Sequence, residues 1–121
     1  MEDTALPELR KKMVELAELL KLHNGQKLQV LDLSAMGFWT DFFVIVTATS
    51  STHARGLIKH VKDFLKERNV ETLRKIAGGD DDDWNLVDCG DFVVHIMSER
   101  ARDFYELERL WFQAETIYRS E

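Results

Sequence analysis

The side chains best equipped for chemistry fall into a few short stretches. Cys89 is the single cysteine of the chain. A nucleophilic thiol needs a base and an electropositive setting, whereas Asp88 and Asp91 beside it raise a thiol pKa. Ser50 and His53 are three apart, with no acid evident to orient the imidazole. His53 and His60 are seven apart and fall on one helix face, but two histidines without a third ligand do not make a zinc site. The run Asp80 to Asp83 lies in a loop and reads as solvated, with weak, adventitious cation binding at most. Nucleotidyl transfer needs carboxylates converging on Mg²⁺, typically an Asp-x-Asp pair on a strand after a Gly-Ser turn. The strand-like stretches carry no such pair, and the "TATSS" turn has no glycine, so its hydroxyls read as helix caps. No catalytic, cofactor-binding or metal-ligating residue is expected.

The stretch "WNLVDCGDFVVHIM", Trp84 to Met97, poses a different question. It reads as a hairpin turning at Cys89-Gly90, since glycine readily takes the positive φ of tight turns. Side chains alternate along a strand. Val87, Phe92, Val94 and Ile96 then share a core face with Asn85. Trp84, Leu86, Asp88, Asp91, Val93, His95 and Met97 share the other. That register sets Trp84 opposite His95, Leu86 opposite Val93, and Asp88 opposite Asp91, where like charges repel slightly. Two readings of the second face stay open: a core covered by another helix, such as the tail, or a partner-binding surface. Trp and Met are enriched at interface centres, and a basic partner would relieve the paired acids. The candidate contact residues are Trp84, Leu86, Asp88, Asp91, His95 and Met97, with Trp84 as anchor.

The elements that must position this hairpin follow from periodicity. Leu6, Leu9, Met13, Leu16, Ala17 and Leu20 form one helical stripe, with Thr4 as cap and Asn24-Gly25 as stop. "LQVLDL" reads as a strand, and "DFFVIVTAT" as a central strand covered on both faces. Leu57, Ile58, Val61, Phe64 and Leu65 mark a second helix, capped by Ser50, Ser51 or Thr52. "VETLRKI" reads as a short strand. From Ser98, a candidate cap, the tail keeps helical spacing through Phe104, Leu107, Leu110, Trp111, Ala114 and Ile117, with Glu106 and Arg109 able to pair on its surface. The order αββαβββα, with strand, helix, strand at its centre, favours a parallel crossover; with the hairpin it predicts an α+β domain, a mixed sheet with helices packed against it.

The 121 residues read as a single domain, 1–121, with an N-terminal helix over 1–25. Sixteen basic against twenty-two acidic residues leave a net charge of −6, opposite to what phosphate neutralisation demands of a bulk nucleic-acid binder. No run is long and apolar enough to span a bilayer, and a lone cysteine suits a reducing compartment, so the chain reads as cytoplasmic or from an organelle interior. Arg55, Lys59, Lys62, Lys66 and Arg68, with Arg74 and Lys75 beyond, make one helix face basic. That is a solvated face, or else the site of a minor contact to RNA.

Three blocks together resemble the ribosomal silencing factor family, also called Iojap: "WTDFFVIVTATSS" (Trp39 to Ser51), "DWNLVDCGDFVVHIM" (Asp83 to Met97) and "RDFYELERLW" (Arg102 to Trp111), in order and at the expected distances. They fall within a family core at 28–111; residues 1–10 and 112–121 lie outside it. Ala48 stands where the family usually has Gly, and Cys89 where it often has an aromatic residue or Leu. The resemblance implies a nucleotidyltransferase-like fold without the catalytic acids. It also implies a translational repressor that binds the large ribosomal subunit through large-subunit ribosomal protein number fourteen and blocks subunit joining, notably when nutrients are scarce, with a link to large-subunit biogenesis in organelles. Two alternatives from other classes are a residual metal-dependent nucleotidyltransferase and a dimerisation module, a homodimer formed when the protein is free.

Overall fold

Seven consecutive residues, Phe42–Ala48, are buried without exception. This strand, β2, carries Val44 and Val46 on one face and Phe43 and Ile45 on the other, each face within its own apolar cluster. A strand apolar on both sides must be covered on both sides, and that requirement organises the rest. In the computed structural model the described residues are 2–72, 74–76, 83–105 and 113–120.

Helix α1 (Glu2–Leu22) leads into β1 (Gln26–Asp32). A 3-10 turn (Ser34–Met36) and a loop precede β2, and α2 (Ser51–Glu67) follows it. Then come β3 (Arg74–Ile76), β4 (Trp84–Asp88), β5 (Phe92–Ser98), α3 (Glu99–Tyr105) and β6 (Glu115–Arg119). The six strands form one sheet in the order β3-β4-β5-β2-β1-β6. β2 and β5 pair in parallel, and every other neighbouring pair is antiparallel. The expected mixed α+β sheet with a parallel crossover is therefore present.

One face receives α1 and α2. Met13, Leu16, Ala17 and Leu20 of α1, with Leu57, Val61, Phe64 and Leu65 of α2, pack on Val30, Val44, Val46, Val87, Phe92, Val94 and Ile96. Both predicted stripes face inward, except that Leu9 is only half-buried and Leu6 lies at the exposed end. Each fully buried Leu, Ile, Val or Phe contributes about 1.5–3 kcal/mol. Ser50 caps α2 by accepting the His53 N–H at 3.0 Å, and Ser98 caps α3 by accepting the Ala101 N–H at 3.1 Å. α1 begins at Glu2, so Thr4 lies inside it rather than capping it.

Two expectations are corrected. The tail is not one helix: Glu115–Arg119 is a strand, paired antiparallel with β1. Ala114 and Ile117 continue a three-to-four spacing by coincidence, while Thr116, Ile117 and Tyr118 are strand formers, and the outer edge of β1 needs a partner. Arg10 ties α1 to this strand through Glu115 at 2.6 Å, and the Leu28 N–H donates to Ser120 Oγ at 3.2 Å. Glu106, Leu107, Arg109, Leu110 and Trp111 lie outside the described residues.

The hairpin register also differs. Gly90 has φ +86°, and the Cys89 N–H donates to the Phe92 carbonyl at 2.9 Å. The turn is thus Gly90-Asp91, with glycine first, as a two-residue turn with one positive φ requires. The pairs become Trp84 with Met97, Leu86 with His95 and Asp88 with Val93. A slip of two residues keeps every side chain on its expected face and changes only its neighbours. Asp88 and Asp91 are not cross-strand partners.

In the turn after α1, Asn24 takes φ +69°, and Gly25 then passes close to the sheet. A Cβ at Gly25 would lie 2.7 Å from Val46 Cγ2 and 2.8 Å from the Leu20 carbonyl oxygen. The backbone oxygen cannot yield. Gly25→Ala should therefore lower stability by about 1–3 kcal/mol, read as a lower urea midpoint at unchanged slope.

Candidate functional site

The second face of the sheet carries the candidate contact residues of the hairpin. Leu31, Leu33, Phe43, Ile45, Val93, Met97 and Ala101 form its buried floor, with Phe38, Trp84, Leu86 and Ala114 partly buried against it. α3 covers one end. Its Arg102 is buried and donates to Thr47 Oγ1 at 2.9 Å and to Gln29 Oε1 at 3.5 Å. A buried guanidinium held by neutral acceptors fastens α3 to β1 and β2 without a carboxylate in either of these bonds. The sequence singles out Arg102 only as the start of a motif; a charged residue in the last turn of a short helix gives no sign that it turns inward.

The six candidate contact residues separate by depth. Met97 is 0% exposed and His95 5%. Asp88 is buried too, and its Oδ1 accepts the Gly90 N–H at 2.9 Å, which fixes the turn. Trp84 and Leu86 are half-buried, and Asp91 is exposed. Met97, His95 and Asp88 therefore stand behind the surface rather than in it. The alternation of strand side chains names a face but not how much of it other elements cover, so the sequence could not make this distinction.

The structure adds residues the sequence did not single out. Trp39 is 61% exposed and Met36 37%. They sit on the loop between β1 and β2, where Gly37 takes φ +67°. Phe38 links this loop to the floor: its ring lies 5.3 Å from Trp39 and 6.1 Å from Phe43. Phe43 stands edge-on to His95 at 4.4 Å, and His95 lies 6.0 Å from Trp84. Five rings thus run across one face, with an indole at each end. The signal was present in "MGFWTD", an apolar run interrupted by glycine just before a strand.

Acids mark one border of this face. Asp41 binds the loop to the hairpin turn by donating its N–H to the Asp91 carbonyl at 2.9 Å. Burial, then Asp91 and Asp32, push the Asp41 carboxyl above its ordinary range. The proximity of these carboxylates favours a cationic visitor.

His95 is the polar group at the centre. Its Nδ1 receives the Trp84 indole N–H at 3.1 Å, and its Nε2 finds no partner among the described residues. Burial, followed by Arg102, pushes its pKa down to about 3. The ring is neutral at pH 7 and carries its proton on Nε2. A buried donor without an acceptor costs about 1–3 kcal/mol.

Two of the enzymatic candidates, His53 and His60, are engaged elsewhere. His53 Nδ1 accepts the Thr49 N–H at 2.9 Å, while its Nε2 lies 3.0 Å from the His23 carbonyl oxygen. His53 is a brace between two segments, not a base aimed at Ser50. His60 stacks on His23 at 3.5 Å. A pocket of about 200 Å³ opens where β2 and β5 end and α2 and α3 begin. Four of its polar side chains are engaged: Ser50 and Ser98 are caps, Thr47 holds Arg102, and Asp83 accepts from Ser98 Oγ at 2.8 Å and pairs with Arg100. Asp80 to Asp82 lie outside the described residues. Among the described residues no three His, Cys, Asp or Glu side chains converge as ion ligands, and no helix is long and apolar enough to cross a membrane. On the opposite face Arg55, Lys59, Lys62 and Lys66 of α2 are exposed. Arg68 covers the Phe64 ring at 3.7 Å.

With this geometry in place, similarity to known proteins decides the family. The profile described as "Ribosomal silencing factor during starvation" matches residues 6–121, a wider span than the three sequence blocks. The chain belongs to the ribosomal silencing factor family. It is 32% identical to ribosomal silencing factor RsfS of Bacillus subtilis over 75% of this chain and 76% of that protein. It is 35% identical to the mouse protein named "Mitochondrial assembly of ribosomal large subunit protein 1" over 79% of this chain, and the match spans only 43% of that longer relative. A crystal structure of a Chromobacterium violaceum protein, 32% identical, superposes with a TM-score of 0.74 over 88% of this chain and 85% of that one. In this silencing-factor family member the sheet has one face packed against α1 and α2 and a second face where, among the described residues, Trp84 and Leu86 are half-buried.

Two outcomes follow. The unfolded state binds a proton at His95 near pH 6.5, whereas the folded state resists it down to about 3. The stability from neutral His95 is fully present above 6.5 and should fall as pH drops toward 3, by up to ~1 kcal/mol per pH unit. Urea midpoints at pH 7 and 5 should fall further for the wild type than for His95→Phe. Burial raises the Cys89 thiol to about 11, Asp88 adding to this against a lowering hydrogen bond from Thr72. Iodoacetamide at pH 7 should label native Cys89 far more slowly than the urea-unfolded chain.

Proposed function

We propose that this protein represses translation by binding the large ribosomal subunit through large-subunit ribosomal protein number fourteen, where its bulk prevents the small subunit from docking. The observation that carries the reading is the second face of the sheet, where Trp39 is exposed and Trp84 half-buried above a packed floor, with acids at the border. Membership of the family supports it, as does the mouse relative named for large-subunit assembly. Trp84, Leu86 and Asp91 meet the partner, joined by Trp39 and Met36. Met97, His95 and Asp88 act from behind, holding the floor, the anchor and the turn. A net charge of −6 suits a basic ribosomal protein. The mechanism is steric and requires neither nucleotide nor catalytic residue, and a role in large-subunit biogenesis uses the same attachment.

The bacterial relatives favour the cytoplasm as its place of action. The basic side of α2 lies on the opposite face, so any contact to ribosomal RNA there is additional and minor. The apolar face also suits pairing with its own copy when no ribosome is bound, in which case self-association and subunit binding compete.

The test is sedimentation with separated subunits. The protein should travel with the large subunit and inhibit joining. Trp84→Ala, shown to be folded by circular dichroism, should weaken binding to the isolated ribosomal protein by roughly thirty-fold, the scale of a truncated aromatic anchor. Trp39→Ala should weaken it as well. Undiminished affinity in both variants would remove this face from the interface.

A further inference from the structure

We infer that His95 is the positioning residue for Trp84: its ring takes the indole N–H and holds the Trp84 plane in the orientation a partner meets. The inference rests on the reading of this face as the ribosome-binding surface, and it concerns a side chain too deep to touch the partner itself.

Trp84 and His95 lie on adjacent strands, one diagonal step apart, because Trp84 pairs with Met97. Diagonal neighbours are within reach of large side chains, and here the reach is used: Trp84 Nε1 donates to His95 Nδ1 at 3.1 Å. The His95 ring cannot turn away, since Phe43 stands edge-on against it at 4.4 Å and the residue is nine-tenths buried. Neutrality of the ring, maintained by burial and by Arg102, keeps Nδ1 free to accept.

The unpartnered Nε2 gives the second line of argument. If this position only filled the floor, an apolar ring of similar shape would fill it without burying a donor that has no acceptor. A histidine is the costlier choice for packing. What it supplies in return is an acceptor at Nδ1, and the indole is the group that uses it. Holding a half-buried Trp in one orientation before encounter removes an ordering cost from binding.

The test is a double-mutant cycle on the full chain, with binding to purified large subunits as readout. His95→Phe keeps a ring and removes the acceptor. Trp84→Phe keeps a ring and removes the donor. His95→Phe should weaken binding roughly three- to tenfold when Trp84 is present, and should change nothing in the Trp84→Phe background. An equal loss in both backgrounds, or no loss in either, overturns the inference. A second readout is independent of the ribosome: the indole N–H signal of Trp84, assigned by its absence in Trp84→Phe, should be protected from solvent exchange in the wild type and lose that protection in His95→Phe. An unprotected wild-type signal also overturns the inference. Failure of the proposed function looks different: Trp84→Ala then leaves subunit binding intact, while the exchange experiment still decides whether His95 holds the indole.

Discussion

The parallel pairing of β2 with β5 is the constraint on which the rest depends. Both strands are buried through most of their length, from Phe42↔Phe92 to Ala48↔Ser98. A pair of this kind needs a crossover, which α2 supplies, and it needs two covered faces. α1 and α2 cover one face almost completely. On the other, among the described residues, α3 and the loop carrying Phe38 supply cover, and Trp84 and Leu86 are half-buried. The proposed binding surface thus lies on the second side of a sheet whose central strands are buried on both faces.

Legibility in the sequence tracked how local each determinant is. The α2 stripe Leu57, Ile58, Val61, Phe64 and Leu65 was readable because helical spacing repeats within one element. The all-buried β2 was readable because a continuous apolar run has few other uses. The two faces of the hairpin were assigned correctly despite a wrong register, since a slip of two residues conserves the pleat. The register itself depended on where the single positive φ falls, Gly90 first rather than second. The strand Glu115–Arg119 was not readable, because its place is set by the unpaired edge of β1, more than eighty residues upstream.

The site was legible as a face and not as a surface. Nothing local to Met97 or His95 reveals that Ala101 and Phe43 close over them. Conversely, Trp39 looked like the edge of a strand motif, yet it is the most exposed indole of the described residues. Depth is a property of the assembled layers. It divides one alternating set of side chains into those that reach the surface and those buried behind them.

β6 joins the last part of the chain to nearly the first, through β1, Arg10 and Ser120. During synthesis β1 emerges long before its outer neighbour. Until residues 115–119 have left the exit tunnel, one margin of the nascent sheet offers unsatisfied amides and carbonyls to any passing strand. The outer edge of β1 is therefore satisfied only once residues 115–119 are available to pair with it, and a copy lacking them would expose that edge.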